Sequence, residues 1–310
     1  IIKYLPKYGK VPSRISYIIF FLLGFLPLLR ILKKNPPDYI IVHLITSLPL
    51  ILLSIFNFKT KFILRISGLP RLNIFRKLLW KLALKKVYII TCPTQQTSEF
   101  IKSLKLCDEN KLKVLFDPII DVSEINKNKK EKIDTNDNFY IAIGRLTKQK
   151  NFSLLINAVI RLSKKYNNLN LLIIGNGDLR DTLINKIKFH KNIKIINWTN
   201  QLRKYYLNSD LFILPSYYEG LPNVLLDAMN HEVPIISTNC SGARDILKGD
   251  SGGFIVPIND QKELEKKIIF IIKNYSIAKN KVLKAKKKLY EFSDINLIKY
   301  YKLLCDIYRN

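Results

Sequence analysis

Short apolar segments alternate with helical patterns along most of the chain, and this alternation restricts the fold more than any other feature. Helices with one apolar face separate the segments, as at 152–164. Short apolar strands separated by helices form doubly wound parallel sheets, which bind ligands outside the carboxyl ends of their strands. We therefore expect an α/β protein with its site in the loops after strands. The clearest strands are predicted at 139–143, 171–174, 193–196, 210–214 and 233–237.

The first part of the chain has a shorter form of the same pattern. A basic helix is predicted at 75–86, and residues 121–138 are polar, charged and without periodicity, which is typical of a linker. A chain of 310 residues is long enough for two domains. We predict an N-terminal domain at 1–120 and a C-terminal domain at 139–290, followed by a helix at 291–310. The strands of the first part are predicted at 39–43, 61–67, 87–92 and 112–116.

The N-terminal domain combines an uncharged apolar segment, residues 15–29, with a strongly basic composition. Residues 1–120 contain 20 Lys and Arg against 5 Asp and Glu. The segment is shorter than the roughly 20 residues of a membrane-spanning helix, and Pro27 is expected to interrupt it. It could lie in the domain interior, in the interface of an anionic membrane, or as one helix facing both.

Composition excludes several classes of protein. A chain with 48% hydrophobic residues is not a disordered polyelectrolyte, even at a net charge of +28. Four cysteines without C-x-x-C spacing and only three histidines argue against a disulfide framework or a zinc site, and favour the cytoplasm. Because the chain begins with Ile1 and its one methionine is Met229, we expect its true N-terminus to be missing.

The first motif, GRLTKQKN, spans residues 144–151 between a predicted strand and a predicted helix. Arg145 and Lys150 would converge there beside the N–H groups of a helix start. Guanidinium, ammonium and free N–H groups together suit a diphosphate. A solvated basic loop would have the same composition, so the motif alone leaves both interpretations open.

The second motif, SYYEGLPNVLLDAM, spans residues 216–229. Pro222 is predicted at the first position of a helix, so Glu219 stands in the loop before it and Asp227 within it. The two carboxylates are eight positions apart in the chain, too far for an acid/base dyad but suitable for holding one elongated ligand at two points. Alternatively, Glu219 could stabilise the helix dipole and Asp227 lie on the surface.

The order of these motifs, with LLIIGNGD between them and GGFIVP after them, resembles the C-terminal half of retaining glycosyltransferases of family 4. The resemblance is strong over 139–260 and weaker over 38–120. It implies the GT-B fold, with two Rossmann-like doubly wound domains facing a central cleft and a C-terminal helix crossing back to the first domain. It also implies a nucleotide-sugar donor, for which no metal or other cofactor is expected.

The resemblance assigns roles to individual residues. It implies that Arg145 and Lys150 bind the donor diphosphate, that Glu219 contacts the transferred sugar, and that these three form the catalytic set. It implies that Asp227 contacts the ribose. The remaining donor-binding residues would be Gly144, Asn197, Trp198, Gly220, Leu221, Pro222, Asn223 and Val224.

The chain departs from the family pattern in three places. Asp227 replaces a glutamate, and Ser67 stands where many members have a histidine before a glycine, here Gly68. The Gly-rich loop that follows the family's first strand has no match. The candidates for the acceptor side are therefore His43, which aligns with a strand-end histidine of many members, together with Ser67 and Gly68.

The expected activity is sugar transfer from a UDP-sugar to a lipid-linked or membrane glycan in bacterial surface polysaccharide, lipopolysaccharide or glycoconjugate synthesis. Such a protein would lie in the cytoplasm, peripheral on the anionic inner face of the plasma membrane. A basic nucleic-acid-binding protein is one alternative, although the lysines are dispersed and no reader motif is present. Another GT-B enzyme, such as a sugar-nucleotide epimerase, is a second alternative.

Overall fold

The computed structural model describes residues 13–43, 46–68, 70, 72–120, 139–166, 168–293 and 296. Contacts divide the chain into two compact units. The first contains Ile1–Cys92 and Thr97–Val114, and the second contains Pro93–Gln96 and Leu115–Asn310. The predicted linker at 121–138 lies outside the described residues, as does most of the predicted C-terminal helix at 291–310, and the predicted domain boundaries stay predictions.

The first unit is built on a parallel sheet of four strands in the order β1-β2-β3-β4. A single apolar core, which includes Leu50, Phe62 and Ile90, packs between the sheet and its helices. The strands are β1 (Tyr39–His43), β2 (Lys61–Arg65), β3 (Ile89–Cys92) and β4 (Leu112–Val114), and the helices are α1 (Ser13–Lys34), α2 (Ser47–Ile55), α3 (Ile74–Lys86) and α4 (Gln95–Ser103).

Helix α1 corrects the expectation that Pro27 would interrupt the apolar segment. The helix runs through Pro27 for 22 residues. Phe25 and Leu28 pack against the core of the first unit, whereas Leu23 and Leu26 are exposed. The interior interpretation is therefore confirmed for one face of the helix, and lipid contact by the other stays a prediction. None of the described helices combines the length and apolar content needed to cross a membrane.

The second unit contains a parallel sheet of six strands in the order β10-β9-β8-β5-β6-β7. From β5 the chain first adds β6 and β7 on one side and then β8, β9 and β10 on the other. The direction of winding therefore reverses between β5 and β8, where sheets of this kind bind ligands. The strands are β5 (Phe139–Ile143), β6 (Leu171–Ile174), β7 (Ile193–Ile196), β8 (Ser209–Leu214), β9 (Ile235–Thr238) and β10 (Phe254–Val256).

Helices cover both faces of this sheet and pack against it through two apolar cores. The helices are α5 (Phe152–Ser163), α6 (Arg180–Ile187), α7 (Leu202–Leu207), α8 (Asn223–Asn230), α9 (Ser241–Leu247), α10 (Gln261–Lys273) and α11 (Tyr275–Lys286). The predicted α/β class with two parallel sheets is confirmed. Among the described strands, the reversal of winding that defines a doubly wound sheet is seen in the second sheet, whereas the strands of the first follow one another in chain order.

Candidate functional site

A pocket of about 400 Å³ lies at the carboxyl ends of four neighbouring strands of the second unit. Each strand contributes through the loop that follows it, so the pocket occupies the place where the winding of the sheet reverses. Loops β5–α5, β6–α6, β7–α7 and β8–α8 supply its lining residues, which are Gly144, Arg145, Lys150, Asn176, Trp198 and Glu219.

Lys150 and Glu219 form an ion pair in the wall of this pocket. The Lys150 Nζ lies 2.7 Å from the Glu219 Oε1, and the two side chains are only 11% and 9% exposed. Ser216 Oγ donates a second hydrogen bond to the same oxygen at 2.6 Å. Among the described residues, no group donates to the Glu219 Oε2. The buried carboxylate is therefore fixed through one oxygen, and its other oxygen can accept a ligand hydroxyl.

Arg145 is the second cation of the pocket, and its environment is different. Its side chain is exposed, and it forms no ion pair within the described part of the chain. The charge of Lys150 is balanced by Glu219, so Arg145 carries the uncompensated positive charge of the lining. Such a pocket favours an anionic ligand.

Hydrogen bonds connect the two loops that carry these side chains. The Tyr217 N–H donates to the Gln149 carbonyl at 2.9 Å, and Gln149 Nε2 donates to the Tyr218 carbonyl at 2.9 Å. Ser241 Oγ, at the start of α9, donates to the Glu219 carbonyl. The position of Glu219 is therefore set by its backbone as well as by its carboxylate.

Glycines permit two very close backbone approaches around the pocket. A Cβ atom on Gly175 would lie 1.9 Å from the Gly144 carbonyl oxygen. A Cβ atom on Gly242 would lie 1.9 Å from the Gly220 carbonyl oxygen. Real Cβ atoms do not approach oxygen this closely. The loop that begins at Gly144 therefore requires glycine at position 175, and the loop through Gly220 requires glycine at position 242.

The start of α8 differs from the prediction. Pro222 is the N-cap residue of α8 and not its first helical residue: its φ of −77° is compatible with a helix, but its ψ of 95° is extended. Its carbonyl accepts the first helical hydrogen bond, from the Leu225 N–H at 2.9 Å. Of the predicted donor-binding residues near this end, Gly220, Leu221, Pro222, Asn223 and Val224 are not among those that line the pocket.

Asp227 lies within α8, and burial raises the pKa of its carboxyl group to about 6. It does not line the pocket. Tyr206 is fully buried, and its pKa is raised first by that burial and then by the charge of Asp227. The Tyr206 hydroxyl donates to the Val224 carbonyl at 3.2 Å, which ties this ring to the same helix.

The structure brings five predicted residues into one pocket and also shows one that the sequence reasoning missed. Gly144, Arg145, Lys150, Trp198 and Glu219 line it, whereas the predicted Asn197 does not. The missed residue is Asn176, in the GNGD loop after β6. The rule that carboxyl-end loops of neighbouring parallel strands meet would have identified it.

The predicted acceptor-side residues belong to the first unit. His43 ends β1 and pairs in register with Arg65, the last residue of β2. Ser67 and Gly68 lie two and three residues after the end of β2, so all three candidates lie at the carboxyl edge of the first sheet. His43 and Ser67 are exposed, and their role stays a prediction.

Comparison with known proteins identifies the family of this chain. Residues 123–289 match the model of the family described as Glycosyl transferases group 1. The uncharacterized glycosyltransferase MJ1059 of Methanocaldococcus jannaschii is 32% identical over 244 residues, which are 71% of this chain and 60% of the relative.

A second curated relative and one solved structure add detail. The N-acetylgalactosamine-N,N'-diacetylbacillosaminyl-diphospho-undecaprenol 4-alpha-N-acetylgalactosaminyltransferase of Campylobacter jejuni is 28% identical over 191 residues, 60% of this chain and 51% of the relative. The chain thus spans 60% or less of these two curated relatives. Alr3699/HepE of Anabaena, solved in complex with UDP and glucose, has a TM-score of 0.73 at 15% identity, with 92% of this chain and 82% of that chain covered.

Proposed function

The chain belongs to the glycosyl transferases group 1 family, and its fold is GT-B. From this we propose that it transfers a sugar from a nucleotide-sugar donor to a lipid-linked or membrane glycan, as a retaining enzyme of family 4. The pocket at the carboxyl ends of β5 to β8 is the proposed donor site.

The uncompensated charge of Arg145 is the observation that carries the proposal. The leaving group in sugar transfer is a nucleoside diphosphate, whose negative charge grows as the bond to the sugar breaks. A guanidinium beside it forms paired hydrogen bonds and stabilises that charge without a metal ion. We therefore place the diphosphate next to Arg145, with Lys150 as the second cation.

Opposite walls of the pocket suit the two ends of a nucleotide-sugar. Trp198 is 49% exposed and offers an aromatic face to a flat base. Glu219 offers its second oxygen to the hydroxyls of the transferred sugar. The presence of UDP in the related fold of Alr3699/HepE supports a UDP-sugar, and Asp227 is the proposed ribose contact.

A lipid-linked acceptor is supported by the Campylobacter jejuni relative, whose name includes a diphospho-undecaprenol substrate. The basic character of residues 1–120 supports an acceptor at an anionic membrane surface. We place the protein at the cytoplasmic face of that membrane, with His43, Ser67 and Gly68 on the acceptor side.

Calorimetric titration with UDP and with a panel of UDP-sugars tests the donor site. Arg145→Ala should lower the affinity for both kinds of ligand by roughly ten- to a hundredfold, since it removes charged hydrogen bonds to the diphosphate. Glu219→Gln should weaken the binding of UDP-sugars relative to that of UDP, because it removes the proposed sugar contact, whereas the Lys150 charge that it frees favours the diphosphate of both ligands.

The matched control is Arg161→Ala, which removes an exposed arginine from the last turn of α5 in the same unit. It should bind both ligands as the unchanged protein does. The site is misassigned if Arg145→Ala also retains full affinity. Retention of DNA without binding of any nucleotide-sugar would instead favour a nucleic-acid-binding protein.

A further inference from the structure

Helix α3 of the first unit exposes a row of large apolar side chains. Phe75 is 83% exposed, although a phenylalanine usually buries most of its ring. Such exposure at one position is unremarkable, but here four large residues of one helix share it. They are Ile74 at 85%, Phe75 at 83%, Leu78 at 59% and Leu82 at 49%.

These four residues lie on one face of the helix. Positions 74, 78 and 82 follow each other at four-residue intervals, and position 75 lies beside them. Trp80, Ala83 and Leu84, on the opposite face, are buried in the core of the unit. The inner face already holds the helix in place, so the outer row is not needed for the fold.

A row of lysines runs alongside the apolar row. Lys77, Lys81 and Lys85 repeat at the same four-residue interval, and all three are exposed. They form no ion pair within the described residues. The helix contains no Asp or Glu, and the sequence has none between Asp38 and Glu99.

This pairing of rows decides between possible partners. A nucleic acid would use the lysines but would leave the apolar row in water. A second copy of the chain would bring a further net charge of +28 against the lysines and would be repelled. An anionic bilayer satisfies both rows, since its headgroups attract ammonium groups and its acyl boundary takes up apolar side chains.

We propose that the outer face of α3, defined by its apolar row and its lysine row, docks on an anionic lipid surface. The inference rests on the proposed function, because it supplies the surface by which the enzyme would reach a membrane acceptor. It adds a contact through α3 to the lipid contact predicted for the exposed face of α1.

Flotation of the full chain with phosphatidylcholine vesicles, with and without about 30% phosphatidylglycerol, tests the proposal. Phe75→Ser/Leu78→Ser should lower binding to the anionic vesicles at least about tenfold at low and at high salt, because it removes apolar insertion. The matched control is Phe189→Ser, which removes a phenylalanine that is 86% exposed on the other unit. It should bind as the unchanged protein does.

The lysine row is tested by the triple substitution Lys77→Gln/Lys81→Gln/Lys85→Gln. Binding should fall roughly a hundredfold at low salt, and much less at high salt, where the charges are already screened. The control removes three charges from exposed lysines of the other unit, namely Lys164, Lys165 and Lys262.

Full vesicle binding by Phe75→Ser/Leu78→Ser would overturn the proposal, as would no vesicle binding by the unchanged chain. The proposal would also be overturned if the unchanged chain were a dimer and this variant a monomer, because the partner of α3 would then be a second copy of the chain. Titration of the same samples with UDP keeps the two proposals distinct. The α3 variants should bind UDP normally, so loss of vesicle binding alone concerns α3, whereas a chain that never binds nucleotides contradicts the donor site.

Discussion

Asp227 shows how the fold changes the chemistry of a single residue. Burial raises the pKa of its carboxyl group from 3.8 to about 6. In the native state the proton is therefore held over a pH range in which the unfolded chain releases it. The stabilisation that the native state gains from binding this proton is complete below about pH 4 and is lost as the pH rises through about 6.

Asp227→Asn should therefore stabilise the protein near neutral pH. The amide cannot ionise, so the variant avoids a cost of about 2–3 kcal/mol near pH 7, whereas near pH 4 the difference should be small. Urea unfolding at both pH values measures it. Asp178→Asn, at an exposed loop position, is the control and should shift stability little at either pH.

The same variant separates stability from binding. If Asp227 contacts the ribose, Asp227→Asn gains stability and loses affinity for the donor, which is common where a polar group is kept for function. If Asp227→Asn were less stable than the unchanged protein near pH 7, the carboxylate would not destabilise the native state.

Among the elements of the second unit, α9 shapes the loop that carries Glu219. Besides the Gly220 carbonyl, a Cβ atom on Gly242 would meet the Pro222 Cδ at 2.6 Å. Both contacts are with the segment that carries Glu219. The first turn of α9 therefore positions this loop, although its own side chains do not line the pocket.

Gly242→Ala should destabilise the second unit by about 1–3 kcal/mol, since the loop must shift to admit the methyl group. It should also weaken UDP-sugar binding, because Glu219 moves with the loop. Urea unfolding and calorimetry measure the two effects. Gly68→Ala, where an added Cβ meets nothing within 4 Å, should change stability by less than about 0.5 kcal/mol. Equal effects of the two substitutions would contradict this account.

At the scale of the whole molecule, 52 Lys and Arg stand against 24 Asp and Glu. Repulsion among so many unbalanced cations destabilises a compact state, and salt screens it over about 10 Å at 0.1 M. The exposed ion pairs, such as Lys102–Glu109, oppose this only slightly.

The melting temperature should therefore rise when sodium chloride is added up to about 0.5 M, because screening relieves more repulsion than it removes attraction. Differential scanning calorimetry over a salt series measures the shift. Sucrose at the same osmolarity gives the control for non-ionic effects. A melting temperature that falls with salt would mean that favourable ion pairs outweigh the repulsion.

Local sequence patterns were enough to predict the α/β class and most of the elements. Strands predicted at 139–143, 171–174 and 193–196 are observed at those residues, and the predicted helix 75–86 begins one residue earlier. Hydrophobic periodicity is a local property of neighbouring residues, so it can be read without knowing the rest of the fold. The same locality placed Arg145, Lys150 and Glu219 in loops after strands.

How these groups interact depends on contacts between distant parts of the chain. Lys150 and Glu219 are 69 residues apart, and their ion pair exists because β5 and β8 are neighbours in the sheet. The burial of Asp227 and the exposure of Phe75 likewise depend on what packs against each helix. Local patterns specify which elements form, but burial and charge pairing arise between distant segments, and these decide which charge stays unpaired and which apolar face stays exposed.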